Sequence, residues 1–497
     1  MKPLLPALAA VLGLAAPAFA APAVSAAPAR PNVLFITCDD LNTALGSYGH
    51  PQVKSPRIDA LAARGARFER AYSNWPSCLP SRYSMLSGWS IPRTGLRDFS
   101  AHSRSGPLAE AVYLPQHYKN HGYTTVRLDK IFHIGGDDPA SWTVSEEPLQ
   151  LMDGTPVTTW TGIELQALGY DGVHKKPIDA AGTLGNPVVE TGRFPKVEGE
   201  KGTYYIVHDG VPEERLFDGH TARRAVGYLE RFAASREPFF LAVGFRRPHL
   251  PFIAHQRYFD LYPWEQIELP PAQPGYKKPF SDEDHKKLIR GYYASISFVD
   301  AQVGKVLDAL ERTGLADNTV VVLLGDHGYA LGERDGWFSK ATLWDTGLHT
   351  TLIVADPRLR DRARAVPEVV SLLDLYPTLV DLTGLPAPSA PLDGRSLRPL
   401  IDDRIDADSA HPFPGYALAH NFRSGWKDLG VSVRTPTHRY IENGDGTVEL
   451  YDVAADPYAW KNLAADPAHS ATRAKLSALA RQALPAAPAA PGDEPLL

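Results

Sequence analysis

Apolar, β-branched runs recur along the chain at "NVLFIT" (32–37), "TTVRL" (124–128), "PFFLAVGF" (238–245), "TVVVLL" (319–324) and "TTLIVA" (350–355). Between several of them the apolar residues take helical spacing, in "SPRIDALAARG", "HTARRAVGYLERFAAS", "DEDHKKLIRGYYASISFVDAQVGKVLDALERTG" and "VSLLDLYPTLVDLTG". Strands that are apolar throughout need cover on both faces, and strands alternating with helices place it there. The pattern therefore predicts an α/β fold built on a large, mostly parallel sheet flanked by helices. Past about Asp402 it changes to short runs, "GVSVRT", "HRYIEN" and "VELYDV", with a closing helix near 470–486. That texture predicts a smaller C-terminal antiparallel-sheet subdomain over 402–497, after a catalytic α/β domain over 31–401.

Composition narrows the function. A chain of 497 residues exceeds the usual single-core size, and 44% hydrophobic with 22% charged residues supplies ample core. A formal charge of −6 leaves no basic footprint for nucleic acid. At the N-terminus Lys2, the apolar stretch Leu4 to Leu14 and Ala18-Phe19-Ala20 read as a signal peptide over 1–20, followed by a flexible Ala/Pro-rich leader over 21–30. The apolar stretch is broken by Pro6 and is shorter than a bilayer span, so export to the periplasm or medium is expected rather than stable membrane insertion. Two cysteines allow at most one disulfide, which excludes a disulfide scaffold.

Polar residues cluster just past the strand-like runs: Asp39-Asp40, then Lys130 and His133, then Arg247 and His249, then Asp326-His327. In open parallel sheets ligands bind outside the strand C-termini, so these groups are expected to converge. Asp39, Asp40, Asp326 and His327 form a mostly hard-oxygen donor set suited to Ca²⁺, with Mg²⁺ or Mn²⁺ as alternatives. Lys130, His133, His249 and Lys340 would surround the metal with donors and cations able to hold a tetrahedral oxyanion. In "SNWPSCLPSRYSMLSGW", Pro80 suits a first helical turn and Gly88 its end, which places Cys78 at or near the N-cap.

Cys78-Leu79-Pro80-Ser81-Arg82, followed by "SMLSG", resembles the C-x-P-S-R signature of the type I sulfatases of the alkaline phosphatase superfamily. The segments "DKIFHIGG", "PFFLAVGFRRPHLPF", "GDHGYALGERDGWFSKATLWD" and "VSLLDLYPTLVDLTGL" resemble the iduronate-2-sulfatase subgroup. The resemblance implies an alkaline-phosphatase-like fold and a sulfatase acting on a sulfated carbohydrate. It also implies that a formylglycine-generating enzyme converts Cys78 to formylglycine, whose hydrated aldehyde is the nucleophile. Carried over by position, Asp39, Asp40, Asp326, His327 and residue 78 bind the metal. Arg82, Lys130 and His133 then hold and tune the nucleophile, and His249 and Lys340 bind the sulfate.

On the substrate side, "LRDFSAHSR" and "GERDGWFSK" match the subgroup only in part; Arg97 and Asp98 with Trp337 are the candidate sugar-binding residues, against a solvated arginine and a loop-packing tryptophan. Three alternatives stay open: a phosphatase or phosphonate monoester hydrolase on the same scaffold, an aryl or choline sulfatase, and a polyanion-binding module with a dead site.

Overall fold

The computed structural model describes residues 30–97, 102–146, 188–195, 201–209, 212–271, 273–276, 280–359, 363–403, 415–422 and 428–483. The expected signal peptide, nearly all of the leader, and Asp98 lie outside the described residues.

The strands, in chain order, are β1 (Asn32–Cys38), β2 (Ala66–Tyr72), β3 (Thr124–Asp129), β4 (Val144–Glu146), β5 (Val188–Pro195), β6 (Lys201–His208), β7 (Phe239–Phe245) and β8 (Phe252–His255). They continue with β9 (Thr319–Gly325), β10 (His349–Thr350), β11 (Leu352–Ala355) and β12 (Arg364–Ser371). The last four are β13 (Ala417–Asn421), β14 (Gly430–Arg434), β15 (His438–Glu442) and β16 (Val448–Asp452). Nine strands form the main sheet in the order β10-β2-β11-β9-β1-β7-β3-β4, with β12 paired to β2. Its centre, β9-β1-β7-β3-β4, is parallel throughout.

Every position of β1, β7 and β9 is buried, as their unbroken apolar sequences require. Successive side chains of β1 enter different cores: Leu34 and Ile36 face one, Val33 and Phe35 the other. The helices Phe217–Ser235 and Asp282–Arg312 cover the first face. The second lies under Leu79 and Tyr83 of the helix Cys78–Ser87, Leu114 and Tyr118 of Leu114–Asn120, and Leu375 and Leu379 of Leu375–Thr383. Ser281 starts the 31-residue helix Asp282–Arg312 by accepting a hydrogen bond from the amide of Asp284.

The run 350–355 departs from the expected parallel arrangement. It divides into β10 and β11, and β11 is antiparallel to both β9 and β2. No crossover helix returns the chain after β9; the connection stays at the C-terminal end of that strand, so the next strand must run back. The C-terminal run forms the expected antiparallel sheet, β13-β14-β15-β16, packed by the helix Ser470–Ala483. Among the described residues β5, β6 and β8 form a third sheet.

Glu213, 7% exposed, ties the start of the helix Phe217–Ser235 to its neighbours. It accepts hydrogen bonds from Tyr258 (2.7 Å), Gln302 (3.0 Å) and Lys305 (3.1 Å), and it pairs with Arg257. Burial works to raise its pKa, but these donors lower it from 4.5 to about 2. A carboxylate depressed in the folded state stabilises above its unfolded pKa, and that contribution fades as pH falls from 4.5 towards 2. Glu213→Gln is expected to destabilise the protein by ~1–3 kcal/mol at neutral pH. Thermal unfolding at a series of pH values checks this: the gap between variant and parent must narrow across that acid window.

Candidate active site

Strand register brings the chemistry together. Cys38 pairs with Gly325 of β9 and with Phe245 of β7, and Asp129 of β3 pairs with Gly244. The residues that follow, Asp39-Asp40, Asp326-His327, Arg246-Arg247 and Lys130, therefore leave the sheet at one level. Asp40 turns sharply at φ 62, a left-handed conformation that aspartate tolerates better than most side chains. Its carbonyl accepts a hydrogen bond from Tyr292 (2.7 Å), and its amide donates to Asp326 Oδ1 (3.0 Å).

Cys78 is the first residue of its helix, next to Ser77 in the N-cap position, in keeping with a place at or near the cap. Gly88 ends the helix at φ 68, as its sequence position suggested. The helix is buried along its whole length. Cys78 Sγ lies 3.1 Å from Lys340 Nζ, 3.3 Å from His327 Nε2 and 3.9 Å from Asp40 Oδ1. Cys78 and Cys38 are both buried free thiols, so no disulfide joins them. Burial, with Asp39 adding to it, pushes the Cys78 thiol well up from its ordinary value.

One turn on, Arg82 points the same way as Cys78. Its guanidinium donates to Asp326 Oδ2 (2.9 Å), to Asp39 Oδ1 (3.1 Å), and to the carbonyls of Lys130 (2.6 Å) and Ile131 (3.0 Å). Lys130 pairs with the other oxygen of Asp39, and Lys340 Nζ lies 2.6 Å from Asp40 Oδ1. Burial works to raise Asp39, but the Lys130 ammonium, with His249, Arg82 and Lys340, holds its carboxyl well below the ordinary range. Asp40 is lowered in the same way, chiefly by Lys340 against its burial.

The donor set fits a divalent cation. Asp39, Cys78, Asp326 and His327 offer ligand atoms within 4.8 Å of one another, and so do Asp39, Asp40, Cys78 and His249. His327 Nδ1 is 2.8 Å from the Gly328 carbonyl, which fixes a proton there and leaves Nε2 to face Asp40 (3.2 Å) and Asp326 (3.7 Å). Three carboxylate groups and one imidazole suit a hard ion such as Ca²⁺ or Mg²⁺.

The side chains of Arg82, Lys130 and Asp39 are fully buried, whereas Lys340 is 20% and His249 23% exposed. Lys340 and His249 thus lie on the more open side of the cluster. His249 Nε2 lies 3.9 Å from Asp40, and its Nδ1 is 2.6 Å from the Leu250 carbonyl. His133 is half-buried, with Nδ1 3.1 Å from the Ile134 carbonyl. Burial lowers the pKa of His249 to about 3 and that of His133 to about 4.

Of the sugar-binding candidates, Trp337 is tied to the site, its indole N–H donating to the Lys340 carbonyl (2.8 Å). Arg97 is exposed, 5.8 Å over the ring of Phe422. Sequence reasoning missed the residues that hold the Lys340 loop from the C-terminal subdomain. Asn421 donates to the Ala341 carbonyl (3.1 Å), Arg439 to the Leu343 carbonyl (3.0 Å), and Arg434 and Arg439 pair with Asp345. Their alternating strand context carries no signal of this, because the contact spans about a hundred residues of chain. Ser81 Oγ, on the Asp326 carbonyl (2.5 Å), was likewise legible only as part of the cysteine motif.

A carboxylate cage ringed by three cations at the C-terminal edge of a parallel sheet is suited to holding a tetrahedral oxyanion. The chain belongs to the sulfatase family: the family model "Sulfatase" matches residues 31–385, and "N-sulphoglucosamine sulphohydrolase, C-terminal" matches residues 332–483. It is a sulfuric ester hydrolase. A sulfatase of Formosa agariphila is 31% identical, covering 88% of this chain and 83% of the relative. Iduronate 2-sulfatase of Homo sapiens is 31% identical, covering 87% and 90%. The phosphonate monoester hydrolase of Agrobacterium radiobacter shares the fold at a TM-score of 0.70 and 21% identity, covering 92% of this chain and 96% of that one.

Replacing Lys340 removes the cation that pairs with Asp40 on the more open side of the site. Lys340→Met is expected to lower kcat/KM by roughly 10²–10³-fold while leaving the fold intact. Steady-state kinetics on any accepted sulfate ester, beside a thermal melt, measures both.

Proposed function

We propose that this protein is an exported sulfatase that removes the 2-O-sulfate of a uronic acid residue in a sulfated glycan, using Ca²⁺ and a formylglycine made from Cys78. The observation that carries this reading is the position of residue 78, whose side chain sits among Lys340, His327 and Asp40 at the start of a buried helix. A buried thiol pushed up in pKa is a poor nucleophile, which favours its replacement by an oxygen nucleophile. A formylglycine-generating enzyme is the maturation partner this requires, and the charged N-terminal apolar stretch is the export signal.

Formylglycine, when present, supplies a geminal hydroxyl as nucleophile, and the metal held by Asp39, Asp40, Asp326 and His327 supplies positive charge beside it. The chain's own groups do the rest. Lys340 binds the sulfate oxygens on the open side, and Arg82 and Lys130 hold the carboxylates in register from behind. His249, oriented by the Leu250 carbonyl at Nδ1, delivers a proton from Nε2 to the departing sugar oxygen, which is otherwise a poor leaving group. The negative charge of the bound sulfate favours the protonated ring in the complex. His133, kept neutral by burial, takes up the proton released when the site is restored. Trp337 offers a face to the sugar ring and Arg97 a guanidinium to the uronate carboxylate. The iduronate substrate of the human relative supports the sugar assignment.

Peptide mass across residue 78 of the mature protein is expected to be lighter by about 18 Da than the thiol form, since H₂S is lost and one oxygen gained. Sulfate release from a 2-O-sulfated unsaturated uronate disaccharide must exceed turnover of choline sulfate, aryl sulfates and aryl phosphonates. A preference for any of those overturns the substrate assignment. Ca²⁺ at a hundredfold over its Kd is expected to stabilise the protein by ~2.7 kcal/mol, read as a rise in Tm that a chelator reverses.

A further inference from the structure

The turn that presents His249 is held by a set of buried charged side chains. Asp218, in the first turn of the helix Phe217–Ser235, is 1% exposed. One of its oxygens accepts from the amide of Arg246 (2.7 Å) and the other from the amide of Arg247 (2.9 Å). Arg246, just past β7, sends its guanidinium back to Asp129 at the end of β3. Nε lies 2.8 and 3.1 Å from the two carboxylate oxygens, and Nη2 lies 2.8 Å from one of them. The guanidinium also lies 3.8 Å over the ring of Phe217. Arg247 donates to the carbonyls of His249 and Pro251, and the amide of His249 donates to the carbonyl of Arg246 (2.9 Å).

Asp129 holds φ at 58, in the left-handed region, and Lys130 follows it. The turn crosses directly over Gly244: a Cβ there would lie 2.3 Å from the Lys130 carbonyl oxygen. One ion pair between the ends of β3 and β7 therefore fixes the backbone that carries Lys130 and the backbone that leads to His249. Two guanidinium groups and two carboxylates balance in charge, but buried ion pairs of this kind often add no more stability than an apolar filling of the same volume. What directional bonds add over an apolar filling is a fixed orientation.

We propose that Asp218, Arg246 and Asp129 form a positioning latch that fixes the Arg246–His249 turn and aligns His249 with the oxygen of the leaving group. This rests on the reading of His249 as the proton donor. The latch residues are buried, and they act through the backbone of the turn.

The test uses the mature enzyme with two aryl esters of nearly equal size, 4-nitrophenyl sulfate and phenyl sulfate. Nitrophenolate departs without a proton, whereas the more basic phenolate benefits from one. In Asp218→Asn, kcat on phenyl sulfate is expected to fall roughly 10–100-fold, with 4-nitrophenyl sulfate within about 3-fold and both KM values little changed. Arg246→Lys, which keeps the charge but loses the fork, is expected to fall between that variant and the parent. Independently of turnover, hydrogen exchange at the amides of Arg246 and Arg247 should accelerate in Asp218→Asn, because their acceptor is weakened.

Equal losses on the two esters, no loss, or losses that follow Tm overturn the latch. His249→Gln is the reference. If it separates the esters and Asp218→Asn does not, the latch alone fails. If His249→Gln does not separate them, the proton-donor reading fails and the latch with it. Should Asp218→Asn not accumulate as folded protein, Arg246→Lys decides by the same comparison.

Discussion

The site depends on the way Arg82 holds two buried carboxylates apart and in place. Asp39 follows β1 and Asp326 follows β9, and without a cation between them their like charges, with Asp40 beside them, would oppose assembly of the strand ends. The guanidinium meets one oxygen of each, and its Nη1 donates to the carbonyls of Lys130 and Ile131, which come from a third strand end. A planar fork with fixed donor directions can join three strand termini in this way; a flexible ammonium cannot. Since Arg82 lies one helical turn from Cys78, the same residue that organises the carboxylates also sets where the side chain of residue 78 stands.

Charge balance around that cation separates the back of the site from its mouth. Arg82 and Lys130 are sealed in and neutralise Asp39 and Asp326 whatever occupies the mouth. Lys340 and His249 remain partly exposed and face Asp40. The two exposed groups come from segments outside the sheet, and each needs its own support. The Lys340 loop is held by Asn421, Arg434 and Arg439 of the C-terminal sheet, so that subdomain is part of the active-site structure rather than an appendage. The His249 turn is held by Asp218 and Arg246 from within the main domain.

Much of this was legible along the chain. Continuous apolar runs gave the parallel centre of the sheet because a strand covered on both faces has no polar face to show. The strand-end residues Asp39, Asp40, Lys130, Asp326 and His327 were legible because a parallel sheet collects its C-termini on one edge. Other elements were not. β2, "ARFERAY", carries three charged residues and reads as no buried strand, yet it pairs with three other strands. The reversal of β11 could not be seen either, since an apolar strand has the same sequence pattern in both directions.

What the sequence determined by itself is the local and periodic part: which segments form buried strands and helices, and which residue types stand at their ends, including the cysteine motif that identifies the family. Tertiary structure alone decided the pairings. It placed Arg82 between Asp39 and Asp326, Arg246 on Asp129, and Arg439 under the Lys340 loop. The physical reason is that a buried charge is satisfied by whichever partner the fold brings within hydrogen-bond distance. That partner stands 43 residues away for Arg82 and Asp39, 117 for Arg246 and Asp129, and 96 for Arg439 and Leu343, separations on which periodicity and propensity are silent.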